Sequence, residues 1–200
     1  MASLPHGEEP GDGQDIRLVV DTIPTLAWSA GPDGSADFFN QRWLDYTDLS
    51  AKQALGWGWE VAIHPADLPR ILETFRDALN SVKPYEVEGR FRRFDGEFRW
   101  FLFRASPLCD DSGKVVKWYG TNTDIEDRKR AEDALRSHEQ NLRLLVDTIP
   151  GHIVTTTPTG EIELLNRRVL EYFDKTPEEL VNWRSSDAIH PDDLALTIAA

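Results

Sequence analysis

The segment Leu18-Val19-Val20-Asp21-Thr22-Ile23-Pro24 recurs as Leu144-Leu145-Val146-Asp147-Thr148-Ile149-Pro150 later in the same chain. The two copies are 126 positions apart. When the sequence is aligned with itself at this offset without a gap, 21 of the 52 positions from Arg17 to Leu68 are identical. An identity of this extent indicates a duplicated structural unit rather than a short recurring motif. Each copy passes from a helical pattern into proline, so each predicts a helix that ends where a unit begins.

The second copy is shorter than the first, because Ala200 aligns with Thr74. We therefore expect one complete unit, followed by the first part of another, in a chain that resembles a piece of a longer protein. The predicted boundaries are a disordered tail at residues 1–15, a complete unit at 16–124, a helical connector at 125–149 and a partial unit at 150–200.

Composition limits the classes of function that this chain can serve. Of its 200 residues, 40% are hydrophobic and 28% are charged, which is typical of a folded protein. The net charge of −13 argues against binding to nucleic acid. The single cysteine, Cys109, excludes an internal disulfide, and no apolar run is long enough for a membrane helix. We therefore expect a cytoplasmic protein with no direct membrane insertion.

The complete unit is predicted to be an α+β fold with five antiparallel strands and helices on one face. Two short strands flank the turn at Gly31-Pro32-Asp33-Gly34, and Asp95-Gly96 is a strong signal for a hairpin between two longer strands. Asn40 and Ser50 are predicted to cap short helices, and His64-Pro65-Ala66-Asp67 opens a longer one, with the negative charge of Asp67 in its first turn. The arginines of the third strand alternate with apolar residues, which favours the polar face of a sheet over a phosphate site.

Two apolar stripes with helical spacing predict surfaces for a homodimer. One belongs to the helix that precedes the first unit and consists of Ile16, Val19, Val20 and Ile23. The other follows Asp124, where a connector without proline or glycine places Leu135, Leu142, Leu145 and Ile149 on one heptad seam. His138 lies on the same seam.

The complete unit resembles a PAS domain with its C-terminal PAC segment. The resemblance rests on Asn40-Gln41-Arg42-Trp43, on Ile63-His64-Pro65-Ala66-Asp67, on residues 90–100 (RFRRFDGEFRW) and on residues 120–129 (GTNTDIEDRK). The family often closes its last strand with Asp-Ile-Thr, whereas Glu126 replaces the threonine here, which leaves the capping of the next helix to Asp124.

The resemblance implies a sensory and dimerisation module that is not itself an enzyme. Tandem units joined by a helix look most like the input region of a histidine kinase, so the expected partners are a second copy and a kinase or other output domain in cis. Two alternatives stay open: an interaction scaffold that does not switch, and a receptor for a small ligand that feeds a cyclic-dinucleotide enzyme.

PAS domains can hold a ligand between sheet and helices, and the pocket candidates here are apolar or aromatic residues. They are Trp28, Phe39, Trp43, Ile63, Phe75 and Phe91. Tryptophan is abundant in this unit, which favours a filled core over an open pocket. Neither haem nor flavin is expected, because the helix with Trp43 lacks a reactive cysteine and His64 precedes the helix that would present an iron ligand. The sequence indicates no catalytic residue and no metal site.

Overall fold

The computed structural model describes residues 20–181, and these divide into two compact units with the boundary after Arg130. The predictions for Ile16 and Val19, and for the end of the second copy, lie outside the described residues. Within the described part, residues 20–22 are helical, and the helix ends before Ile23 rather than at Pro24.

The first unit contains five strands, and its helices lie between the second strand and the third along the chain. In order, the elements are β1 (Leu26–Ala30), β2 (Ala36–Phe39), α1 (Gln41–Thr47), α2 (Ala51–Ala54), a 3-10 helix (Gly58–Ala62), α3 (Leu68–Ser81), β3 (Tyr85–Arg92), β4 (Phe98–Cys109) and β5 (Val115–Asp124). All five strands are antiparallel to their neighbours, in the order β2-β1-β5-β4-β3. The predicted fold class is therefore confirmed.

The strand register sorts side chains onto two faces of the sheet. Phe91, Phe101 and Phe103 point toward the helices and are buried. The rings of Phe91 and Phe101 meet edge to face with their centroids 5.2 Å apart. Trp100 alternates with these phenylalanines and pairs with Arg90 on the opposite face. The core is thus an aromatic layer between one face of the sheet and the helices.

Local capping signals set the starts of the short helices. The Asn40 side chain accepts a hydrogen bond from the Trp43 amide, and Ser50 with Gln53 forms a reciprocal capping box, as the sequence predicted. Asp67 departs from its expected role in the first turn of α3. It is the N-cap residue of α3, but its carboxylate accepts hydrogen bonds from Arg90 instead of capping the helix.

A single long helix, α4 (Glu126–Thr148), leads out of the sheet. The second unit continues with β6 (Val154–Thr156), β7 (Ile162–Leu165), α5 (Arg167–Phe173) and α6 (Pro177–Val181). These elements repeat the order of β1, β2, α1 and α2. The likeness extends to backbone detail, because Asp48 and Asp174, which follow the equivalent helices α1 and α5, both adopt the left-handed conformation. No helix in residues 20–181 is long and apolar enough to cross a bilayer.

Candidate functional site

The six pocket candidates all line one small cavity between the sheet and the helices. Trp28 comes from β1, Phe39 from β2, Trp43 from α1, Phe75 from α3 and Phe91 from β3. The last of the six, Ile63, precedes α3. The volume of this cavity is about 30 Å³. That space suits one or two water molecules.

Two tryptophans of the cavity differ in how their indole N–H groups are satisfied. Trp28 Nε1 donates to Asn122 Oδ1 at 3.0 Å. Trp43 is 1% exposed, and its Nε1 has no hydrogen-bond partner among the described residues. A buried donor without a partner is unfavourable, so an acceptor that reached this N–H would gain a hydrogen bond. Burial alone raises the pKa of Tyr85, another lining residue, which keeps its phenol neutral.

The residues considered for cofactor or redox chemistry lie away from this cavity. His64 Nδ1 accepts a hydrogen bond from the Ala66 amide at 3.1 Å, and its ring contacts Phe98. This arrangement shapes the turn before α3 and does not point the imidazole at the cavity. Cys109 is exposed at the end of β4. In the part of the chain that the structure describes, no group of three or more histidine, cysteine or acidic residues could hold a metal ion.

The first residues of α4 (126–130), which we call its root, are a second candidate site, because they join the sheet to the connector. Asp124, the last residue of β5, uses both carboxylate oxygens. Oδ1 accepts from the Glu126 amide at 2.9 Å, and Oδ2 accepts from Arg99 Nε at 2.8 Å. Asp124 therefore caps the helix and, through Arg99, also links it to β4. The ion pair also raises the pKa of Arg99 above its ordinary value.

Glu126 adds a contact that the sequence interpretation missed. Its Oε2 accepts a hydrogen bond from the backbone amide of Trp100 in β4 at 2.9 Å, while Oε1 accepts from Arg130. The glutamate that replaces the family's threonine therefore binds across to the neighbouring strand. Its carboxylate is long enough to reach β4, which a threonine hydroxyl is not, but no local pattern signals this pairing.

Glu88 of β3 makes the third contact between the sheet and the start of α4. Its carboxylate contacts the guanidinium of Arg128 at 2.6 Å and the ammonium of Lys129 at 2.5 Å. The Lys129 and Arg128 cations hold the pKa of Glu88 below its ordinary value. Lys129 also lies over the Trp100 ring, 5.2 Å from the centroid. The first turn of α4 is thus tied to both β3 and β4.

Arg90, Arg93 and Arg99 are engaged within the protein by acidic side chains. Arg90 makes a bidentate pair with Asp67, and its hydrogen bonds lower the pKa of that carboxyl. Arg93 pairs with Asp95 and Glu97. These pairs, together with that of Arg99, support the structural interpretation of the basic stretch over the phosphate-binding one.

Beyond its root, α4 buries no residue of its own. The predicted seam residues Leu135, Leu142 and Leu145 are exposed by 61%, 49% and 63% of their surface. Ile149 is also exposed and lies one residue past the end of the helix. Of the predicted leading helix, Val20 is half-buried and Ile23 is exposed.

Comparison with known proteins agrees with this architecture. Residues 36–122 match the family model for the PAS fold. The uncharacterized protein y4lL of Sinorhizobium fredii is 32% identical over 177 residues, which cover 88% of this chain and 21% of that protein. The peroxide stress-activated histidine kinase mak1 of Schizosaccharomyces pombe is 30% identical over 164 residues, which cover 78% of this chain and 10% of that protein. The chain thus spans about a fifth or less of each relative.

A solved structure of an RNA-binding light-oxygen-voltage receptor superposes with a TM-score of 0.56 at 18% identity, covering 70% of this chain and 41% of that one. At this identity the likeness concerns the fold alone. The five-stranded antiparallel sheet, the helices between β2 and β3 and the long outgoing helix are shared features of such sensory domains. The first unit of this chain belongs to the PAS family.

Proposed function

We propose that this chain is a cytoplasmic input region of a histidine kinase, that it forms a homodimer through α4, and that it relays a signal along that helix without catalysing a reaction itself. The observation that carries the proposal is the exposed leucine seam. A helix of 23 residues that buries none of its own side chains gains little stability from packing within its own chain, and leucines at heptad spacing are the usual core of a two-stranded coiled coil.

The root of α4 supports a relay. Asp124, Glu126 and Glu88 tie the first turn to β5, β4 and β3 respectively, so a rearrangement of the sheet would move the helix with it. A small rotation or register change of a helix pair is a known form of signal transfer. Relatives that are histidine kinases support the identity of the output domain.

The dimer is tested by placing charge on the seam. We expect the double variant Leu142→Glu and Leu145→Glu to be monomeric by size-exclusion chromatography with light scattering, while the unchanged chain has twice the monomer mass. The matched control is Leu144→Glu with Gln140→Glu, which adds the same charge to the outer side of the same turns. A wild-type monomer, or a seam variant that stays dimeric, would exclude this role for α4.

A small-ligand receptor is the second candidate, and the unpartnered N–H of Trp43 favours it. The ligand would be a small neutral acceptor, because the cavity is apolar and has room for only a few atoms. We infer that the ligand is neither haem nor flavin, and the small volume of the cavity supports this inference. Native mass spectrometry distinguishes the candidates: a bound mass supports the receptor, and a clean ligand-free mass supports the relay or a simple scaffold. Visible colour in the absorbance spectrum would contradict the inference that neither haem nor flavin is bound.

A further inference from the structure

In each unit, the side chain of a buried asparagine is hydrogen-bonded to the helical part of the repeated segment. In the second unit this residue is Asn166, which is fully buried and immediately precedes α5. Its Oδ1 accepts from the amides of Ile153 and Val169, at 3.0 and 3.3 Å. Its Nδ2 donates to the carbonyls of Gly151 at 2.7 Å and Val146 at 3.4 Å. One side chain therefore joins the last turn of α4, the following turn and strand, and the start of α5.

Asp147 makes a second bond between the same elements. Its Oδ1 accepts from the backbone amide of Arg167, the first residue of α5, at 2.7 Å. Two adjacent residues of α4, Val146 and Asp147, are thus bound to two adjacent residues at the start of α5. We refer to Val146, Asp147, Asn166 and Arg167 as the latch.

The first unit contains the same arrangement with nearly the same distances. Asn40 Nδ2 donates to the Val20 carbonyl at 3.4 Å. Asn40 Oδ1 accepts from the Ala27 amide at 3.0 Å. Asp21 Oδ1 accepts from the Gln41 amide at 2.8 Å. The groups that contact the asparagine and aspartate side chains are backbone atoms in both units.

The internal repeat keeps the side chains that these bonds require. Asparagine and aspartate are identical in the two copies, whereas most residues that supply only backbone groups differ, as Ala27 and Trp43 differ from Ile153 and Val169, with Val20 and Val146 as the exception. A packing role alone would not require an amide and a carboxylate at these two positions. The pattern points to the hydrogen bonds themselves as the retained feature.

We propose that the latch couples the last turn of α4 to α5 and to the strand region that begins the second unit. Because Asn166 is buried, a displacement of the helix end that breaks its bonds leaves polar groups unsatisfied, so the helix end and α5 move together. The inference goes beyond the proposed dimer relay and does not depend on it, since every contact lies within one chain.

Amide hydrogen exchange of the full chain, followed by NMR, tests the coupling. Arg143→Gly weakens the last turns of α4 at an exposed position, and glycine should raise their local opening about fivefold. Where exchange reports the opening equilibrium, the amides of Arg167 and Val169 should then exchange about fivefold faster. The Gln41 amide, at the equivalent place in the first unit, should be unchanged.

Ala134→Gly is the matched control, because it weakens α4 two to three turns farther from the latch. It should change exchange at Arg167 less than twofold. Unchanged exchange at Arg167 in the Arg143→Gly variant would overturn the proposal, and so would equal acceleration by the two substitutions. If the Arg167 and Val169 amides of the unchanged protein exchange as fast as unprotected ones, the latch does not form in solution and the proposal fails.

Discussion

The contrast between Trp28 and Trp43 provides a sharp test of the first unit's interior. Both indoles line the same cavity, but only Trp28 has a hydrogen-bond acceptor, Asn122 Oδ1. Replacing each tryptophan with phenylalanine removes the same atoms in both cases. Trp28 is half-buried and Trp43 is fully buried, so packing alone would make Trp43→Phe the costlier change, whereas the hydrogen-bond effect predicts the reverse order.

The expected magnitudes follow from burial and hydrogen bonding. Exchanging a buried indole for a phenyl ring removes roughly 50 Å² of apolar contact, or about 1 kcal/mol. In Trp43→Phe this loss is offset by removal of an unpartnered buried N–H, which costs about 1–3 kcal/mol where it is present. The variant should stay within about 1 kcal/mol of the parent. In Trp28→Phe the buried Asn122 oxygen loses its donor, so the total loss should be about 2–4 kcal/mol.

Native-state hydrogen exchange of the slowest amides in β4 and β5 measures the unfolding free energy of this unit separately from the other. Trp43→Phe should leave that free energy nearly unchanged, and Trp28→Phe should lower it clearly. Equal losses in the two variants would refute the reasoning. In that case an acceptor, such as a bound ligand or an ordered water, contacts Trp43 Nε1 in solution.

Local signals explain which parts of the fold could be predicted from sequence. The Asn40 cap, the Ser50 capping box and the Asp95-Gly96 turn depend on residues within a few positions of each other. Local patterns also placed individual cavity residues, through strand alternation for Phe91 in β3 and helical spacing for Phe75 in α3, and the structure brings all six pocket candidates to one cavity. The abundance of tryptophan favoured a filled core, but the volume that stays open depends on how distant elements pack, so that volume could not be predicted.

Pairing between distant side chains explains what the sequence interpretation missed. Asp67 had a plausible local role at the start of α3, but Arg90, 23 positions later, competes for its carboxylate with a bidentate hydrogen bond. Likewise, nothing near Glu126 indicates that Trp100, 26 positions earlier, supplies the amide it binds. Such contacts depend on strand register, which sequence patterns constrain only weakly.

Two further perturbations test the contacts around the sheet. Arg90 lowers the pKa of Asp67, so this carboxylate stabilises the fold above its unfolded pKa of about 4, and the contribution is lost as pH falls through the lower folded value. Asp67→Asn should therefore lower the unfolding free energy at pH 7 and flatten its decline below pH 5 in acid titrations of stability; an unchanged slope would contradict this. Gly120→Ala should cost about 1–3 kcal/mol by overpacking, because its Cβ would lie 2.2 Å from the Trp28 indole. Since leucine at position 28 removes the clashing ring atoms, the double variant with Trp28→Leu should lose less than the sum of the two single losses, and strict additivity would show that the indole does not set the limit at Gly120.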